Sequence, residues 1–85
     1  MPNPPTIDTG EYQLKNGSIK LRGTCRAGSN LTVTVDVNGM GQAQNVTCGG
    51  DDTWEADVSI PQAGDYPAHV KDDFGHDDQT VTVVD

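Results

Sequence analysis

The sequence is short of basic residues, aromatics and long apolar runs, and each shortage removes a class of function. Five Lys plus Arg stand against thirteen Asp plus Glu, a formal charge of -8 with a pI near 4.3. Such a field repels phosphate backbones and anionic lipid, so neither nucleic acid nor a membrane surface is an expected partner. No stretch approaches the roughly 18 apolar residues of a spanning helix. The opening Met-Pro-Asn-Pro-Pro lacks the basic start and apolar core of a signal peptide. Trp54, Tyr12, Tyr66 and Phe74 are the only aromatics. At least two of these read as core residues, which leaves a sugar-stacking platform poorly supported. There is no Cys-x-x-Cys pair for zinc and no Gly-x-Ser-x-Gly elbow around Ser18, Ser29 or Ser59. The chain is also too small for a deep pocket, so the expectation is that it is not an enzyme.

What is present is alternation. Only 33% of residues are apolar, which would suit a disordered chain if they were scattered. They instead fall at every second position, the period of a half-buried strand. The segments Thr6 to Asp8 with Tyr12 to Leu14, Ser18 to Cys25, Leu31 to Asn38, Met40 to Cys48, Trp54 to Ile60, Tyr66 to Lys71 and Gln79 to Val84 are read as strands. Gly, Asn and Asp separate them, as turns require. Parity assigns Ile19, Leu21, Leu31, Val33, Val35, Val37, Trp54, Val58, Ile60, Tyr66, Val70, Val81 and Val83 to the core. No segment carries a helical period, so the expected class is all-β, an antiparallel sandwich or barrel. Eighty-five residues make one domain, near the size at which only about 60% of the unfolded surface is buried. Residues 1–5 are expected to form a Pro-rich extended arm, since each proline keeps its predecessor out of the helical region, and residues 6–85 the sandwich.

Asn38-Gly39 is a two-residue hairpin signal, because both central positions of a type I′ turn need positive φ. That turn places Val37 opposite Met40 and Leu31 opposite Val46. It also leaves Gln42 and Gln44 on the core face, which marks the Met40 to Cys48 strand as a short, partly exposed edge. Cys25 and Cys48 then arrive at the same end of the molecule. A bridge between them would tie one sheet to the other and contribute about 3 kcal/mol.

Several pieces together resemble the Ig-like domains repeated in bacterial surface adhesins and found on tailed-phage virions. They are Pro5-Thr6-Ile7-Asp8, Ile19 to Ser29 with the Leu-Thr-Val-Thr-Val strand after it, Asp52-Thr53-Trp54, Ala63-Gly64-Asp65-Tyr66, Asp73-Phe74-Gly75-His76 and Thr80-Val81-Thr82-Val83. The resemblance implies an Ig-like antiparallel β-sandwich of about seven strands. Gly64-Asp65-Tyr66 resembles the tyrosine corner of that fold, with the phenol bonded back to nearby backbone. Gly23 and Gly28 are read as turning points between the sheets. The antibody-type bridge position falls on Ala68, so the Cys25 to Cys48 bridge would be a local variant.

The acidic residues Asp72, Asp73, Asp77 and Asp78 around Phe74-Gly75-His76 are a weak calcium candidate, since hard cations need converging oxygens. Asp51-Asp52 forms a second acidic turn. No EF-hand spacing is present, and solvated turns are the plainer reading of both clusters. His69 and His76 read as surface residues, and the triplets at Asn16, Asn30 and Asn45 as chance in an Asn- and Thr-rich chain. The resemblance implies a non-catalytic module. Its first form is a phage capsid decoration protein at the virion surface. Pro2, Asn3, Pro4 and Pro5 would contact a major capsid or other virion protein, and Met1 to Asp85 would be a whole gene product. The alternative is one adhesin repeat at a bacterial cell surface. No cofactor is expected, and the oligomeric state is not legible.

Overall fold

A flat segment that is apolar on one side must hide that side against another layer of the fold. A computed structural model describes residues 4–85, and there seven strands do this in two layers. They are β1 (Glu11–Gln13), β2 (Ser18–Thr24), β3 (Asn30–Val37), β4 (Met40–Thr47), β5 (Thr53–Ser59), β6 (Gly64–Asp72) and β7 (Gly75–Val84). One sheet has the order β1-β7-β6-β3-β4 and the other is the pair β2-β5. The described residues contain no helical segment. The protein is an all-β sandwich.

Every position assigned to the core by parity is buried, joined by Ile7, Tyr12, Ala56, Ala68 and the two cysteines. Among the described residues no polar or charged residue is buried, so the interior is held by apolar area, worth about 25 cal/mol per Å2. Trp54 is the largest of these side chains, and its indole N–H donates to the Thr6 carbonyl at 2.9 Å. That bond explains Gly23, which lies inside β2 opposite Trp54 and not at a turn between sheets. A Cβ there would sit 1.8 Å from the Thr6 oxygen, so only glycine lets the N-terminal segment cross to the indole. Beyond the crossing, the Thr6 and Asp8 amides donate to the carbonyls of Thr24 and Arg22, covering half of the β2 edge without forming a full strand.

The β3–β4 hairpin has the expected register, Val37 opposite Met40 and Leu31 opposite Val46, with φ of 53° at Asn38 and 82° at Gly39. The bridge Cys25–Cys48 is formed and joins the end of β2 in one sheet to the end of β4 in the other. The tyrosine corner is present too, the Tyr66 hydroxyl donating to the Gln62 carbonyl at 2.6 Å.

Three further expectations are corrected. β4 is no short strand but matches β3 at eight residues, because the tight turn keeps the two in register to their ends. β7 begins at Gly75, not Gln79, since the acidic segment pairs with β6 from Asp72↔Gly75 onward. The sandwich is not wholly antiparallel: β1 runs parallel to β7 after the N-terminal segment leaves the β2 edge and changes sheets. Within the described residues, the N-terminal segment is already packed at Pro4 and Pro5. Pro5 is buried, and Pro4 packs so closely on Gly75 that a Cβ at position 75 would stand 2.8 Å from the Pro4 Cβ. Pro2 and Asn3 lie outside the described residues.

Candidate functional site

The β6–β7 hairpin carries the calcium candidates, and their carboxylates serve four separate purposes. Asp72 ends β6, where its Oδ1 accepts the amides of Phe74 at 2.7 Å and Gly75 at 3.1 Å, closing the turn. Its other oxygen is buried with no hydrogen-bond partner among the described residues. Asp77, half-buried on the inward parity of β7, accepts the Ile7 amide at 2.9 Å and the Gln79 side chain at 3.0 Å. Asp78 faces outward and meets His69 Nδ1 at 2.7 Å and His76 Nδ1 at 3.4 Å. Asp73 sits on the lip of a shallow hollow with Phe74, whose ring lies 4.9 Å under the Arg26 guanidinium. The four carboxylates do not converge. Among the described residues no group of three or more His, Cys, Asp or Glu side chains is placed to hold a metal ion.

Asp51-Asp52 is likewise structural. Asp52 adopts φ of 64°, accepts the Ala27 amide on its side chain at 3.1 Å, and accepts the Cys25 amide on its carbonyl at 3.0 Å. This pins the backbone beside the disulfide. The Thr53 hydroxyl bonded to Asp51 holds that carboxyl below its ordinary value.

His69 and Asp78 are cross-strand neighbours on the outer face of the large sheet, with Asp36 of β3 at 3.9 Å from the other imidazole nitrogen. The imidazole hydrogen bond holds the Asp78 carboxyl below its ordinary value. A nucleophile would need a hydroxyl within reach of such a histidine. Ser29 instead donates to the Arg26 carbonyl and Ser18 to the Lys15 carbonyl. Among the described hydrogen bonds, none joins a serine or threonine hydroxyl to a histidine nitrogen.

Three of the five basic residues, Lys15, Lys20 and Arg22, line an open hollow of about 490 Å3 between β1 and β2. Glu11 and Asp57 line it as well, and Arg22 already meets Asp8 at 3.4 Å and the Tyr12 ring at 5.6 Å. Burial pushes the Tyr12 phenol up, and its hydroxyl donates to the Asp8 carbonyl at 2.6 Å. The hollow is thus held together by internal pairs and offers mixed charge.

Sequence reasoning missed the role of Gln42 and Gln44. Their side-chain amides reach across the open side of the sandwich and donate to the backbone oxygens of Ser59 and Asp57 in β5, at 3.2 and 2.8 Å. Two glutamines on an inward parity were the available signal: a buried-side polar residue needs a partner, and an uncapped strand edge supplies one. The triplet residues Asn16, Asn30 and Asn45 are all exposed.

No family model matches this chain, and no curated protein matches it by sequence. Among solved structures it is similar to part of a carbohydrate acetylesterase from Xanthomonas citri, with a TM-score of 0.70 and 22% identity. The match covers 95% of this chain and 19% of that one. The fold is shared. This chain spans about a fifth of the esterase's length.

Proposed function

We propose that this chain is a non-catalytic structural and binding module working in an oxidising environment. Its most specific form is a decoration protein mounted on a virion through a major capsid or other virion protein. The observation that carries the reading is what the chemically capable side chains already do. Asp72, Asp77, Asp78, Asp52, His69 and Ser29 each hold a turn, a strand pair or the N-terminal segment in place. A disulfide joining the two sheets of so small a core suits exposure outside the reducing cytosol. The resemblance of the strand and turn segments to virion and adhesin Ig-like domains supports the virion form.

The second reading is a spacer or adhesion repeat at a bacterial cell surface. The likeness to a fifth of a much longer chain favours it, since there the same sandwich occurs as one part of a larger protein. Immunogold labelling of the source culture separates the two. Gold on particles supports decoration, and gold on cell envelopes supports the repeat. Label confined to the cytoplasm, with both cysteines alkylatable, defeats both readings. Hydrolysis of p-nitrophenyl acetate or acetylated oligosaccharides by the purified protein, abolished in His69→Ala, would defeat the non-catalytic reading itself.

A further inference from the structure

The sandwich has four strand edges, and three of them are guarded. β1 is only three residues long and carries Glu11. β2 carries Lys20 and Arg22 and is half covered by Thr6 to Asp8. β5 carries Glu55 and Asp57 and has its carbonyls taken by Gln42 and Gln44. β4 ends its sheet at full length and, among the described residues, has none of these devices. Val37 and Met40 flank the two-residue turn and so form a hydrogen-bonded pair. By alternation Gly41, Ala43, Asn45 and Thr47 turn their amides and carbonyls away from β3. These residues are exposed, and none is Pro or Lys, the residues that natural edges use to deter pairing.

A second, independent observation concerns charge. Val37 to Gly50 is the longest stretch without a charged residue in a chain that carries eighteen. Elsewhere on the molecule, two copies of net charge -8 would oppose carboxylates. At β4 they would not. An antiparallel edge is also complementary to itself, since a two-fold axis sets identical rows of donors and acceptors against each other.

We propose that β4 is a homodimerisation edge, which joins two copies antiparallel into one continuous ten-stranded sheet. The register that overlaps the whole edge pairs Gly41 with Thr47 and Ala43 with Asn45 across the two-fold, giving about eight intermolecular hydrogen bonds. It brings Met40, 74% exposed, beside the Cys48–Gly49 end of the other copy. Strand pairing alone buries less than the roughly 1,200 Å2 of a stable interface, so the dimer is concentration-dependent. Because the rest of each copy repels the other, added salt strengthens it.

The proposal is independent of which surface the module serves. It is tested by sedimentation equilibrium of the oxidised protein from micromolar to millimolar concentration, alongside hydrogen exchange. The wild type forms a dimer whose Ala43 and Asn45 amides gain protection with concentration. Ala43→Lys/Asn45→Lys sets like charges opposite each other and weakens the dimer by at least about tenfold. Ala43→Lys/Asn45→Glu sets opposite charges across the same register and restores it. Unchanged circular dichroism shows that both variants fold. A wild type that stays monomeric at millimolar concentration, or a dimer that survives the paired lysines, overturns the proposal. So does a dimer in which those two amides exchange as in the monomer.

Discussion

The two long hairpins differ in where they are fastened to the N-terminal half of the molecule. The β3–β4 hairpin is free at its turn, with open space around Gly39, and is bolted covalently at its far end through Cys48 to Cys25. The β6–β7 hairpin is fastened near its turn and without a covalent bond. Pro4 packs on Gly75, and Asp77 accepts the Ile7 amide. The first therefore needs its turn residues only for their backbone, and the second needs its turn residues for what lies against them. Local chemistry is enough to write the first hairpin. The second exists because another segment passes beside it.

Severing the covalent fastening gives the largest expected effect. Cys25→Ala/Cys48→Ala is expected to lose about 3 kcal/mol, read as a fall in the thermal midpoint. The loss is local: hydrogen exchange should accelerate at the Gly28 and Cys48 amides, which bond across this end, before it does in β6 and β7. Equal acceleration in both hairpins would erase the proposed difference. Next comes a paired glycine test. Gly75→Ala sets a methyl 2.8 Å from Pro4 at φ of 151° and is expected to lose about 2 kcal/mol. Gly39→Ala, at φ of 82° with nothing near, is expected to lose about 1 kcal/mol from the backbone alone. Pro4→Gly recovers part of the first loss and none of the second. Urea midpoints of the wild type, the two glycine variants and each glycine variant combined with Pro4→Gly decide this.

The same contrast shows what was legible in the sequence. Parity in Leu31 to Val37 and Trp54 to Ile60 is a local property, so the buried face, the register at Asn38-Gly39 and the meeting of the cysteines could all be read from it. Gly75 to Asp78 could not be read as strand, because Gly and Asp are poor strand formers. Pairing with Lys71, Val70 and His69 on a strand already in place overrides that preference. Gly23 was misplaced for a related reason: its requirement comes from Thr6 and Trp54, distant in sequence, and not from its own turn. The acidic residues suggested an ion because charge can be counted in a sequence, whereas the direction in which each carboxylate points cannot.

Asp72 offers a finer cut at the second hairpin. Asp72→Ala removes the acceptor of two turn amides and is expected to lose about 1 kcal/mol. Asp72→Asn retains a side-chain oxygen for that role and neutralises the carboxylate whose second oxygen is buried with no partner among the described residues, so it should match or exceed the wild type. Urea unfolding of both variants checks the order. If the two lose equally, the charge itself holds the turn.

The smallest expected effect separates side-chain from backbone support in the first half of β7. The folded carboxyl of Asp78 sits below its ordinary value of 3.8, first because His69 hydrogen-bonds it. A depressed folded value means the unfolded chain takes up the proton first as pH falls. The contact therefore contributes stability above the unfolded value and loses it as pH drops through the folded one. In Asp78→Asn that increment is absent. The wild-type urea midpoint should thus lie above the variant's at neutral pH, by a small margin because the pair is exposed, and fall to meet it between about pH 5 and pH 2. Parallel profiles would mean that the β6–β7 backbone ladder holds this segment without the imidazole. The second hairpin would then depend on Pro4 and Ile7 alone for its difference from the first.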